Sequence, residues 1–120
     1  MNDQVFLKHL PPMINELPVA VTVCDREGVI LYMNERANIT FRKYGGAQIV
    51  GTNLFLYHQG PSAVKLKELL DNEGTHAYTV DKNGIKKFIY QSPWYNDGAY
   101  SGLIELSMQI PFELPNFVRE

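Results

Sequence analysis

The sequence holds one cysteine, Cys24, so no internal disulfide forms, and no Cys-x-x-C pair offers a zinc or dithiol site. An excess of either charge is also missing: 11 Lys and Arg stand against 13 Asp and Glu, a net charge of −2 with both signs scattered. A chain with no basic stripe lacks the electrostatic footprint of a nucleic-acid binder. Long hydrophobic runs are absent too. The longest apolar stretches, around residues 19–24 and 29–33, fall far short of the ~20 residues that cross a bilayer. The opening Met1-Asn2-Asp3-Gln4, soon followed by Pro11-Pro12, is unlike the basic-then-apolar layout of a secretory signal. The expected compartment is therefore the cytosol, with no membrane and no nucleic acid as partner, and the Asn38-Ile39-Thr40 sequon carries no weight.

What is present is a globular composition, 45% hydrophobic and 20% charged with seven Tyr and six Phe, which excludes a disordered or low-complexity chain. A single domain of 120 residues buries roughly two-thirds of its unfolded surface. Residues 1–18 read as a helical cap: Val5, Phe6, Leu7 and Leu10 are apolar, Pro11-Pro12 interrupts, and a short helix restarts with Met13, Ile14 and Leu17. From Val19 the period becomes two, and two strands are predicted around the turn Asp25-Arg26-Glu27-Gly28. Asn34 then reads as a helix N-cap, with Ala37, Phe41 and Tyr44 on one face before Gly45-Gly46. Residues 47–60 show no clean period and are read as short helical turns. Pro61 opens a helix striped by Ala63, Leu66, Leu69 and Leu70. Three strands follow, joined by Lys82-Asn83-Gly84 and Asn96-Asp97-Gly98 turns.

The fold class is thus α+β: a five-stranded antiparallel sheet with short helices on one face, spanning residues 19–111 and followed by a tail at 112–120. Helices this short fold over the sheet and enclose a small volume against it, which is the candidate site. In the last strand Gly102, Ile104, Leu106, Met108 and Ile110 are expected to face the core, with Ser101, Leu103, Glu105, Ser107 and Gln109 on the largely wet side. In the strand before it, Phe88, Tyr90, Ser92 and Trp94 share one face, and Tyr90 and Ser92 are expected to meet one ligand.

Four segments carry a family resemblance: Leu17-Pro18-Val19-Ala20-Val21 with Asp25-Arg26-Glu27-Gly28, Tyr32-Met33-Asn34-Glu35-Arg36-Ala37, Ile49-Val50-Gly51-Thr52-Asn53-Leu54-Phe55, and Asn96-Asp97-Gly98-Ala99-Tyr100-Ser101-Gly102. In this order and spacing, over about residues 14–111, the chain resembles a PAS (Per-Arnt-Sim) domain. Tyr57-His58-Gln59-Gly60-Pro61-Ser62 also resembles a PAS subgroup with a His-Pro-like step before its last long helix. The resemblance implies a sensory module that binds a small molecule between sheet and helices, or a protein on the outer sheet face. It argues against a flavin photoadduct, because Leu54 stands where photoreceptor PAS domains need a cysteine after Gly51-x-Asn53. Haem is not favoured either, since the long helix has no histidine and His58 lies just before it. Kinase-driving PAS domains commonly end in an Asp-Ile-Thr-like step, whereas Gln109-Ile110-Pro111 stands here, with Pro115 further on. The expected output is therefore contact with a separate protein or a homodimer through the N-terminal segment.

The expected ligand-contacting set is Phe41, Leu54, His58, Tyr78, Tyr90, Ser92, Ile104 and Leu106, around a small, mainly apolar or aromatic molecule. No metal set is expected, because His9, His58 and His76 share no ligand spacing with carboxylates. No catalytic set is expected: Asp25, Asp81 and Asp97 sit in or beside turns, and no nucleophile motif or phosphate loop occurs. Two other readings remain open. One is a ligand-free adaptor whose interior is filled by Phe41, Leu54, Tyr90 and Leu106; the other is a small isomerase-type enzyme with His58 as base.

Overall fold

The computed structural model describes residues 10–120, so Val5, Phe6, Leu7 and the first half of the expected cap lie outside the described residues. Helix α1 (Pro12–Asn15) starts with a proline in its first turn and buries none of its residues. It leads into strands β1 (Ala20–Asp25) and β2 (Ile30–Met33), then helix α2 (Glu35–Thr40). Three 3-10 turns follow, Arg42–Tyr44, Gly46–Ile49 and Leu54–Tyr57, before helix α3 (Pro61–Asn72). Strands β3 (His76–Lys82), β4 (Ile85–Asn96) and β5 (Ala99–Ile110) complete the fold.

The strands form one sheet in the order β2-β1-β5-β4-β3, and every pair is antiparallel. The fold class is α+β, as the periodicity predicts. Local chemistry explains the connections. Asp25 Oδ1 accepts from the Glu27 and Val29 N–H groups, which closes the β1–β2 hairpin. Both later hairpins use a left-handed pair, Asn83-Gly84 and Asp97-Gly98, where residue types tolerant of positive φ supply the two-residue turn. Asn34 caps α2 by accepting from Ala37 N–H. The expected helix to residue 44 is split, because α2 ends at Thr40 and the chain tightens into 3-10 turns around Gly45, whose φ is +116°.

Residues 51–54 are read from the sequence only as part of a stretch of short turns. They lie along β2 instead of standing free. Gly51 N–H donates to Ile30 O, Ile30 N–H to Thr52 O and Leu54 N–H to Gly28 O, and Asn53 Nδ2 adds a bond to Glu27 O. The edge of β2 is thereby covered, which satisfies backbone groups that would otherwise face solvent or another chain.

The main core joins the helices to one face of the sheet through Ala20, Cys24, Ile30, Met33, Ala37, Ile49, Leu54, Leu66, Leu69, Leu70 and Leu103. This inner face is lined by small residues of β1, so α2 approaches closely enough for Ala37 to be fully buried. The outer face carries a second cluster, Val21 and Val23 with Leu31, Tyr32, Trp94, Ile104 and Leu106 packed against them, and Leu10 lies over it. Two expectations are corrected here. The Ile104 and Leu106 side of β5 faces outward, whereas Ser101, Leu103, Glu105 and Ser107 face the helices, because register pairs Val23 with Ile104 and Cys24 with Leu103. On β4 the same register places Tyr90 and Ser92 outside, opposite Leu106 and Ile104, and turns Ile89 and Gln91 inward.

Candidate functional site between the long helix and the sheet

Gly60, with φ +58°, and Pro61 at the helix start turn the chain sharply into α3. That turn leaves the beginning of α3 standing away from β3 and β4. The gap is a cleft of about 320 Å³ lined by His58, Ser62, Lys65, Leu66, His76, Tyr78, Gln91 and Glu105. Its volume sits at the lower end of the range for small-molecule sites.

Period two carries His76 and Tyr78 of β3, Gln91 of β4 and Glu105 of β5 to the inner face, where register aligns His76 with Gln91 and Gln91 with Glu105. Their side chains form a hydrogen-bonded row across three strands. Gln91 Nε2 donates to Glu105 Oε2 at 2.9 Å, and Gln91 Oε1 meets His76 Nδ1 at 3.2 Å. A carboxylate oxygen needs a donor, so the amide nitrogen of Gln91 faces Glu105 and its oxygen faces His76. His76 Nδ1 therefore carries the proton. His58 is fixed in the same way: its Nδ1 donates to the Leu54 carbonyl at 3.0 Å. In the neutral ring of each histidine, Nε2 is left as an acceptor.

Glu105 is half-buried and receives that one hydrogen bond; among the described residues no cation pairs with it. Lys65, at the cleft, is turned to Glu68 at 3.3 Å. The rings of His76 and Tyr78 lie 4.8 Å apart, inclined at 32°. Burial pushes the Tyr78 phenol above its ordinary pKa, and the negative charge of Glu105 pushes it further the same way. Glu105 also borders a second hollow of about 380 Å³, whose wall combines Val80, Ile85 and Ile89 with Lys82 and Lys87.

Of the eight residues expected to meet a ligand, His58 and Tyr78 line the cleft. Leu54 and Phe41 belong to the inner core, Leu54 within it and Phe41 packed against it. Tyr90, Ser92, Ile104 and Leu106 lie on the other side of the sheet, so the structure does not bring them to the cleft. Gln91, Glu105 and Lys65 were not expected there. The signal that points to Glu105, and through strand register to Gln91, is the run of small residues Ala20, Thr22 and Cys24 on β1: the face that seats a helix closely is the face of Glu105, which pairs with Thr22 and with Gln91. The lining is consequently polar where an apolar wall is expected. Among the described residues, no three His, Cys, Asp or Glu side chains converge as a metal site.

No family model matches the chain, and no curated protein does. Solved structures do. The PAS domain of an HTR-like protein from Haloarcula marismortui superposes with a TM-score of 0.61 at 14% identity, covering 89% of this chain and 93% of that one. The PAS domain of nitrogen regulation protein NR(II) from Vibrio parahaemolyticus gives 0.58 at 20% identity, covering 82% and 95%. The Aer2 receptor from Vibrio cholerae, described as a dual PAS-haem oxygen sensor, gives 0.56 at 15% identity, covering 78% and 95%.

Proposed function

Because the chain has the PAS fold, we propose that it is a sensory module in which a small molecule, held in the cleft between α3 and the inner sheet face, alters contacts made at the outer sheet face. One observation carries this reading: β5 presents Glu105 to the cleft and its immediate neighbours Ile104 and Leu106 to the outer apolar cluster. A ligand that shifts the backbone at Glu105 moves the outer residues with it, since successive side chains of a strand share one backbone and point to opposite faces.

The outer face supplies the output in this proposal. Its residues Tyr32, Trp94, Ile104 and Leu106 are only partly covered, and Tyr90 beside them is 37% exposed. A second copy or a separate output protein in the cytosol is the partner, and the N-terminal segment contributes through Leu10. The module performs no chemistry of its own. Haem is left out of the proposal because its residues do not fit: a porphyrin face against Gln91 and Glu105 would desolvate a carboxylate without pairing it.

The test combines native mass spectrometry of the purified protein with sedimentation under the same conditions. The proposal expects a bound small molecule that is lost on denaturation and a change of association state when it is removed. A clean apo mass, with association through the outer face unchanged by any added molecule, would instead favour the adaptor reading, in which the interior is filled and the outer face binds constitutively.

A further inference from the structure

We propose that the ligand of the cleft is a small organic cation, with an ammonium, amidinium or guanidinium head on Glu105. This rests on the cleft being the ligand site. Three observations converge on it. Glu105 offers a carboxylate with unfilled lone pairs, already oriented by Gln91 and in no ion pair among the described residues. His58 and His76 each use Nδ1–H internally, so that donor is spent on the protein and, in the neutral form, each ring adds only an acceptor. Tyr78, tilted against His76 at the cleft wall, offers a ring face suited to a cation.

Other occupants fit worse. An anion meets the Glu105 charge, and the one lysine on the cleft is engaged with Glu68. A wholly apolar molecule would strip water from Gln91 and Glu105 and return no hydrogen bond. A bare metal ion has no set of three ligating side chains among the described residues. A cation with a short apolar body sets its head on Glu105 at the cleft and its body toward Val80, Ile85 and Ile89 of the adjoining hollow, whose Lys82 and Lys87 keep the charged head on the cleft side.

The experiment compares three probes of one size on the full chain: benzamidine as cation, benzyl alcohol as neutral and benzoate as anion, each titrated by amide NMR. Saturable shifts at residues 76–78, 91 and 105 with benzamidine, at least about tenfold tighter than with benzyl alcohol, are expected. Glu105→Gln should cut benzamidine affinity by about tenfold and leave benzyl alcohol unchanged. If that variant misfolds, salt decides: raising it from roughly 20 to 500 mM should weaken benzamidine several-fold in the native chain and spare benzyl alcohol. Shifts at those residues with benzyl alcohol or benzoate as strong as with benzamidine overturn the cation and leave the cleft reading standing. No shift with any probe overturns both.

Discussion

Asn34 Oδ1 accepts a hydrogen bond from the Val21 N–H at 2.9 Å, and the same oxygen caps α2 through the Ala37 N–H at 3.0 Å. The amide nitrogen donates to Ile14 O and Val19 O, so one side chain, 1% exposed, ties the entry to β1, the end of β2 and the start of α2. Replacing it by alanine leaves two N–H groups and two carbonyls without this partner. Asn34→Ala should cost about 3 kcal/mol or more, read as a lower denaturant midpoint with little change in slope. Asn34→Asp should be milder at the cap and still lose the bonds to Ile14 and Val19. Equal stability of Asn34→Ala and the native chain would remove this residue from the account of the fold.

Gly102 sets the spacing of β1 and β5. Its φ is +148°, and a Cβ there would run into the Cys24 carbonyl and come within 2.8 Å of the Asp25 backbone. Those are main-chain atoms that cannot swing aside. Gly102→Ala should therefore destabilise by more than the ~1 kcal/mol that positive φ alone costs, and the β1–β5 amides should lose hydrogen-exchange protection first. Gly98→Ala provides the control: φ is +81° but nothing lies within 4 Å, so only the conformational cost should appear.

Element order was legible because turn chemistry and periodicity are local. Asp25 to Gly28, Asn83-Gly84 and Asp97-Gly98 mark their hairpins without reference to the rest of the chain, and Asn34 marks its helix. The faces of β5 were not legible in the same way. Alternation puts four large apolar residues on one side and Ser101, Glu105 and Ser107 on the other, and the usual rule sends the apolar side inward. Here both sides are covered in part. The outer side packs on Val21, Val23 and Trp94, while the inner side needs small residues near α2 and tolerates polar ones at the cleft. Only pairing with β1, which no local pattern reports, decides which face receives the helices. The same inversion moved Tyr90 and Ser92 away from the site and brought in Gln91.

Cys24 is fully buried, and burial pushes its thiol up to about 12, with the Leu103 backbone hydrogen bond opposing. The native state thus keeps a proton that the unfolded state releases near pH 9. The contribution of this group is intact below that pH and is lost as pH rises toward 12. Tyr32, Tyr78, Tyr95 and Tyr100 are displaced upward as well, so stability should fall steadily through this window. Cys24→Ala should flatten the slope by up to one proton, about 1.4 kcal/mol per pH unit. At pH 8 an aromatic disulfide reagent should label the native thiol only as fast as the chain opens. Rapid labelling of folded protein would contradict the burial.

Leu106 and Glu105 are adjacent in sequence and opposite in orientation, which allows the proposed input and output to be separated. Leu106→Glu places a charge among Val21, Val23 and Ile104 at the surface offered to a partner, whereas the inner row His76-Gln91-Glu105 is untouched. The variant should lose association, seen by sedimentation, and retain cleft shifts with benzamidine; Glu105→Gln should lose those shifts and, with them, the change of association that benzamidine produces in the native chain. Trp94, the single tryptophan, reports on the outer side independently, because it packs in that cluster with its indole N–H on Cys24 O at 2.9 Å. Partner binding should move its emission to shorter wavelength in the native chain and leave it unmoved in Leu106→Glu. If folded Leu106→Glu also loses the cleft shifts, or if benzamidine still changes the association of folded Glu105→Gln that no longer shows those shifts, the two faces are not input and output surfaces coupled through β5.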